Sequence, residues 1–436
     1  LAKNGQASWN KTANFVNLTH MPTPKTEYQV NFEKLTGGLN IYSPDYRLEL
    51  NESPDMENMV WKNGTLCSRY GQTYVDDGTD RGVGYTCFQD LYWDNAFFHI
   101  GNSIWYGDPD SSLTLTELCD LSSLYSDYIP QRGTFLRYGD DLFYKAPGVF
   151  VRIHWDGATF QYADVAATAY TPITYVNADW RNGSGDSYQP ENRLSAKKTI
   201  WYNAGTDEQT QTFSGDGSTT NFTITLPDFV YVTDVTVDGA TVGNWTVSGT
   251  TLRFYFAPAA GTDNIIVKCQ CAVKTYYLPV KGASIAKITV DGLVTTNFDY
   301  DSTTGLITFA NAPPVTQPLS NNTVRITYEL VDTNFQNAFN SIMDCPYAIV
   351  YGGNQNICMV VGGCTAQPNA FFWNGNNIAM DVTYWPMEQY NFGADTEDAI
   401  TGFGRQQGYL VVFKNRSIGK GELKFTSIQP TSDAPA

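Results

Sequence analysis

The residues able to do acid–base chemistry are Asp140, Asp141, Asp156, Asp395, Glu397 and Asp398, together with His99 and His154. Two carboxylates facing each other across a groove would suit glycoside hydrolysis, but the spacing marks out no pair. Asp140-Asp141 stands where a hairpin turn is expected, a place that favours Asp for its local backbone hydrogen bonds. Asp395-Thr396-Glu397-Asp398 is the densest acidic cluster, expected to form a solvated loop, with a weak calcium site as the alternative. His99 and His154 alternate with apolar neighbours, which is the pattern of wall histidines in strands. Trp373, Tyr384 and Trp385 could stack on sugars, although core packing accounts for them more simply. Gly215-Asp216-Gly217-Ser218 lacks the Lys and the helix that a phosphate loop needs, and reads as a turn before a strand. The expectation is no catalytic residue, no metal site and no cofactor.

Eight cysteines, at 67, 87, 119, 269, 271, 345, 358 and 364, form no Cys-x-x-Cys pair, and with three histidines they predict no zinc site. Cys269 and Cys271 fall on one face of a strand. The cysteines read mostly as small buried hydrophobes of a chain made in a reducing cytoplasm.

The elements that would position these groups are strands. Of the 436 residues 42% are hydrophobic and 14% aromatic, enough for a substantial core, while only 16% are charged and Gly, Asn, Thr and Ser fill the gap. No run of a dozen residues keeps an uninterrupted helical spacing of apolar positions, and none approaches the ~20 apolar residues of a membrane span. A net charge of −17 argues against wrapping nucleic acid by phosphate neutralisation, but is compatible with a conduit whose wall repels DNA. The opening residues carry no apolar leader core, so synthesis without a secretory signal is expected.

Four stretches share one layout of apolar strand, tight polar turn and apolar strand: Asp90–Gly107, Tyr138–Trp155, Ala348–Cys364 and Gly402–Ile418. Recurring hairpins of this kind predict antiparallel meanders and β-propeller-like blades, four or five of them at ~40–50 residues each. Between them the composition changes. Thr-Val-Asp-Gly occurs at Thr236–Gly239 and again at Thr289–Gly292, 53 residues on, each time followed by a strand, a turn, a strand ending in Phe-Ala (Phe256, Phe309), a Pro-bearing turn and a closing strand. The prediction is two tandem immunoglobulin-like β-sandwiches, about 208–273 and 275–331, inserted at a hairpin tip. The domain plan is an extended arm over 1–34, blades over 35–205, the two sandwiches over 206–333 and further blades over 334–436. The fold class is all-β.

Residues 35–71 follow an irregular path set by Gly37-Gly38, by the Asn51-Glu52-Ser53-Pro54-Asp55 turn and by the Lys62-Asn63-Gly64 hairpin turn. The order of Gly37, Gly38, Asn40, Asn51, Pro54, Asn58, Gly64, Arg69 and Gly71 resembles the start of the nozzle or stabilisation proteins in the tails of short-tailed bacteriophages, and Ile400–Lys420 is similar to a blade of that group. The resemblance does not extend to the middle of the chain. It implies a propeller-containing virion component made in the host cytoplasm, forming a ring of six copies around the DNA exit channel. Its partners would be other tail or portal-adaptor proteins and DNA in passage, without membrane insertion. The nine motif residues would serve assembly, and Asp395, Glu397 and Asp398 would be lumen or loop carboxylates. The sandwiches would project toward other tail proteins or a host surface glycan. A virion-borne carbohydrate-binding adhesin and a tail-associated polysaccharide depolymerase are the alternatives.

Overall fold

The computed structural model describes residues 79–109, 114–315, 321–351, 358–375, 382–392 and 398–422, and four short strands before them. The chain divides into two units, Leu1–Asp77 and Gly78–Ala436. In the first, Gly38–Leu39 pairs in parallel with Glu52–Ser53, and Met59–Lys62 forms a hairpin with Thr65–Ser68. The Lys62↔Thr65 pair leaves the two-residue connection that Asn63-Gly64 predicts. The arm over 1–34, and all the motif residues except Gly38, lie outside the described residues.

The second unit is mostly β, as composition predicts. Four antiparallel meanders recur along it. The first joins Gly84–Asp90, Asn95–Ile100, Ser103–Gly107 and Thr116–Asp120; the second joins Thr134–Tyr138, Asp141–Ala146, Val149–Trp155 and Phe160–Asp164. The third holds Tyr347–Tyr351, Cys358–Cys364, Gln367–Trp373 and Tyr390–Phe392, and the fourth has three strands, Ile400–Gln406, Tyr409–Lys414 and Ile418–Gly421.

Successive sheets share cores. Phe97, Ile104, Leu142 and Val151 join the first to the second; Phe143, Phe150, Val361 and Phe372 join the second to the third; Val360, Ile400 and Val412 join the third to the fourth. The first strand of each meander neighbours the first strand of the next. The row is open: among the described residues no shared core connects the first sheet to the fourth.

The expected hairpins exist, but out of phase. Those in Asp90–Gly107 and Tyr138–Trp155 are second and third strands of their sheets, whereas those in Ala348–Cys364 and Gly402–Ile418 are first and second strands. Leu91–Asp94, expected to begin as strand, is the turn, with Asp94 at φ 53°. An alternating pattern specifies a hairpin without specifying its place in the sheet.

The predicted pair of two-sheet modules is present with a different connectivity. Seven strands within 206–272 form one module: Thr206–Gly215, Gly261–Ala272, Phe229–Val237 and Ala240–Thr241 make one sheet, and Asn221–Thr223, Thr251–Phe254 and Trp245–Ser248 the other. The second module repeats this order, but its first strand is Lys197–Tyr202, which pairs antiparallel with Val324–Glu329 from Lys197↔Glu329 to Tyr202↔Val324. The modules are therefore nested rather than tandem. The inner one interrupts the outer one between its first strand and its second, Thr275–Tyr277. The two ends of the insertion meet where the Val273 amide donates to Gly205 O at 3.0 Å. The boundary expected at 206 thus moves upstream, because Ile173–Ala178 also pairs with Lys197–Tyr202 and extends that sheet to six strands. Strand pairing also matches Phe309 of the outer module with Phe254 of the inner one, not with Phe256: Phe222↔Leu252 corresponds to Tyr276↔Ile307.

Two helices escape the sequence reading, the single turn Leu121–Leu124 and a longer one. Thr333–Met343 starts at Asp332, whose carboxylate accepts from the Phe335 amide at 2.8 Å, and it buries Ala338, Ser341, Ile342 and Met343. Its 11 residues fall just short of the dozen-residue window.

Candidate functional site

A recess of about 460 Å³ opens between the second and third meanders. Its walls are the segments that lead into their first strands, carrying Tyr125, Asp127, Tyr128 and Asp344, the turn at Pro147-Gly148 and the strand residue Gly363. Tyr125 is locked in place: its hydroxyl donates to Asp164 at 2.9 Å and accepts from the Phe150 amide at 3.1 Å, while burial pushes its pKa up.

Fully buried Lys145 lies close behind the recess. Its Nζ donates to Ala146 O at 2.7 Å, Met343 O at 2.8 Å and Cys345 O at 2.9 Å. All three ammonium protons are thereby satisfied. Burial lowers its pKa to about 8, against the partial compensation of nearby Cys345 and Asp344. Two of these carbonyls, Met343 O and Cys345 O, tie the end of the helix to the second meander across 198 and 200 residues of chain.

Two thiols stand beside this knot. Cys345 and Cys364 are almost fully buried. The neighbouring Cys345 brings Cys364 down to about 7 against the opposing effect of burial, whereas burial raises Cys345 well above its usual value. The Cys345 Sγ donates to Ser341 O at 3.0 Å and the Cys364 Sγ to Gln367 O at 3.7 Å.

His99 is a wall histidine, as expected. Its Nδ1 bonds the Tyr144 hydroxyl at 2.7 Å and its Nε2 the Tyr128 hydroxyl at 2.8 Å, with Tyr85 stacked on the ring. Burial lowers its pKa to about 4, so the ring is neutral, with one nitrogen donating and the other accepting. His154 lies 2.6 Å from Asp141, which also pairs with Arg152 at 2.6 Å. Asp141 therefore has two partners in its own sheet.

Of the acidic cluster, Asp395 and Glu397 lie outside the described residues. Asp398 is buried and accepts from the Arg416 amide at 2.8 Å and the Ser417 hydroxyl at 3.0 Å. Burial works to raise its pKa, but these bonds outweigh it and lower it, making Asp398 a loop carboxylate that closes the turn after Lys414. Asp216 accepts from the Ser218 and Thr219 amides at 2.7 and 2.6 Å, the turn expected in place of a phosphate loop. Trp385 and Tyr384 are core residues, Trp385 fully so. Among the described residues, no three His, Cys, Asp or Glu side chains are grouped to hold a metal ion.

Sequence reasoning missed Lys145, Asn192 and Arg193. The stretch 179–195 reads as a polar loop, yet Asn192 and Arg193 are buried. Asn192 donates to Tyr170 O and Thr383 O and accepts from the Leu194 and Trp385 amides. Arg193 donates to Met387 O at 2.7 Å and lies over the Phe372 ring. For Lys145 a signal exists: it is the one charge in the apolar run Leu142–Val151. For Asn192 and Arg193 there is none, since the partners that bury them, Thr383 and Met387, lie 191 and 194 residues away.

No family model matches this chain, and no curated protein matches it.

Proposed function

We propose that the chain is a structural, non-catalytic component of a bacteriophage tail, of the nozzle or stabilisation type, assembling as a ring around the DNA exit channel. The observation that carries this reading is the row of four meanders, each sharing a core with the next and each presenting its first strand to the next. Four-stranded sheets packed in sequence are the units from which propellers are built, and this supports the reading. The motif over 35–71 and the blade-like Ile400–Lys420 add the resemblance to tail proteins. In this reading the nested modules are immunoglobulin-like and project from the row, and the acidic balance of −17 keeps DNA off the wall. Mass determination of the full-length chain in solution and of its copy number in purified particles tests the proposal. A closed ring present in stoichiometric copies is expected. A chain absent from particles, or one that releases reducing sugar from surface polysaccharide, overturns it.

A second reading, a virion-borne glycan-binding adhesin, rests on Tyr255 and Phe256. These are 62% and 75% exposed in the inner module, where strand pairing gives the outer module Ala310 and Asn311. Exposed aromatic faces suit stacking on sugar rings. Loss of glycan binding on Tyr255→Ala with Phe256→Ala would favour it, and absence of binding by the intact chain would remove it.

A further inference from the structure

We propose that two copies of this chain associate by antiparallel pairing of their Thr206–Gly215 strands, so that the four-stranded sheet of one inner module continues into that of the other across a two-fold axis. The molecule itself marks the slot. In the outer module the sheet runs Leu293–Thr295, Ser284–Val290, Val324–Glu329, Lys197–Tyr202, and the outer side of Lys197–Tyr202 is taken up by Ile173–Ala178. In the inner module the same order runs Ala240–Thr241, Phe229–Val237, Gly261–Ala272, Thr206–Gly215, and among the described residues no strand lies beyond the last. One module thus shows what the equivalent edge of the other accepts, which is a further strand.

Thr206–Gly215 has the features of an acceptor. Edge strands are ordinarily blunted by shortness, by lysine or proline, or by a bulge. This one has 10 residues with neither Lys nor Pro, and its register shift falls at the far end, between Phe213 and Gly215. Asp207, Glu208, Gln209, Thr210 and Thr212 are exposed. The strand is also pinned along its length. At its start Gly205 O accepts from the Val273 amide at 3.0 Å, and at its end the Gly215 amide donates to Asn264 Oδ1 at 2.9 Å. In the middle Gln211 Nε2 donates to the Thr225 hydroxyl at 3.0 Å while its Oε1 accepts from the Thr225 amide at 2.9 Å. An edge already fixed loses little conformational freedom when a partner adds to it.

The same strand of a second copy fits this edge. A two-fold axis normal to the sheet pairs identical edges antiparallel and keeps both buried faces on one side. Symmetry places on the axis a residue that faces its own copy, Thr210 or Gln211 at the middle of the strand. In either register Asp207 and Glu208 face Thr212, Phe213, Ser214 or Gly215 across the axis, so no like charges stand opposite each other. Facing Thr and Gln side chains add hydrogen bonds to those of the backbone. Both copies carry a net charge of −17, so the association should tighten as salt screens them. The pairing does not depend on the tail reading, since it uses an edge of the inner module and none of the meanders.

The full chain at rising concentration, followed by sedimentation and by residue-resolved amide exchange, tests the pairing. The expected result is a doubled mass together with a slowing of about tenfold or more at alternate amides of Thr206–Gly215, those that point away from Gly261–Ala272. Thr210→Lys, at an exposed position, should abolish both effects and leave tryptophan fluorescence unchanged. Thr210→Cys or Gln211→Cys, whichever stands on the axis, should yield a disulfide-linked dimer whose cross-linked peptide joins that position to itself. Exchange in the unaltered chain decides the matter even where a variant folds poorly. Strand amides that exchange at one rate at every concentration overturn the proposal. Protection already complete in the monomer overturns it too, by assigning the edge to a segment of the same chain, as does a doubled mass that a folded Thr210→Lys chain retains. A ring with fast exchange at Thr206–Gly215 keeps the tail reading and overturns this one, whereas a strand-paired dimer of a chain absent from particles does the reverse.

Discussion

The inner and outer modules have the same seven strands in the same two sheets, yet they are held in the molecule in different ways. Both turn at an Asp-Gly pair with two positive φ angles, 52° and 80° at Asp238-Gly239, 49° and 82° at Asp291-Gly292. Both bury a Phe at the end of the matching strand, Phe254 and Phe309. The inner module is contiguous and its first strand, Thr206–Gly215, is a sheet edge. The outer module takes its first strand from the far side of the insertion, and that strand is covered by Ile173–Ala178. An insertion whose ends meet, as Gly205 and Val273 do, disturbs its host little. The difference teaches that one topology can serve as a plug-in unit in one copy and as part of the framework in the other.

The largest effect should come from cutting the chain. A fragment spanning 208–331 retains nearly all of the inner module but lacks Lys197–Tyr202, the central partner in the outer sheet. One cooperative unit is expected, with the outer module's amides exchanging freely; extending the fragment back to residue 172 should bring protection to both. Protection of Val324–Glu329 in the shorter fragment would break the nested topology.

Core truncation comes next. Phe254→Ala and Phe309→Ala should each cost about 3–5 kcal/mol. Loss from Phe254→Ala should stay within the inner module, whereas loss from Phe309→Ala should spread to Ile173–Ala178, as residue-resolved hydrogen exchange would show.

Smaller and matched effects are expected at the turns. Gly239→Ala and Gly292→Ala meet no neighbouring atom, so each should pay only the left-handed backbone cost of about 1–2 kcal/mol. Unequal losses measured by denaturant unfolding would show that the two hairpins are not equivalent.

Acid should separate the modules from the meanders. His99 is held at about 4 against 6.5 unfolded, so its unfolded form takes up protons first. The stability it gives the first two sheets is complete above about pH 6.5 and is lost as pH falls through 4. Neither module contains a histidine. Asp216 and Asp301 are instead depressed below 3.8 by hydrogen bonds from their own turns, so their contribution persists above that value and fades only below it. Fluorescence of the tryptophans and module-specific exchange at pH 7, 5 and 3 should show the meanders loosening first.

Much of the fold was legible because it is local. Asp238-Gly239 and Asp291-Gly292 require positive φ that few other dipeptides supply, and the alternation of Ile265, Val267, Cys269 and Cys271 marks the face that is buried. Asp216 announced a turn, and the apolar runs around His99 and His154 announced strands. Partner choice was beyond reach, because a period of two says which face of a strand is buried and not which strand lies beside it. Lys197–Tyr202 pairs with Val324–Glu329 only because an entire module folds out of the way between them. The polar knots are of the same kind. Asn192 and Arg193 look like surface residues, and Lys145 an odd charge in an apolar run, until tertiary packing brings the carbonyls of Thr383, Met387 and Met343 within reach; a buried charge or amide is tolerable only once those partners are in place.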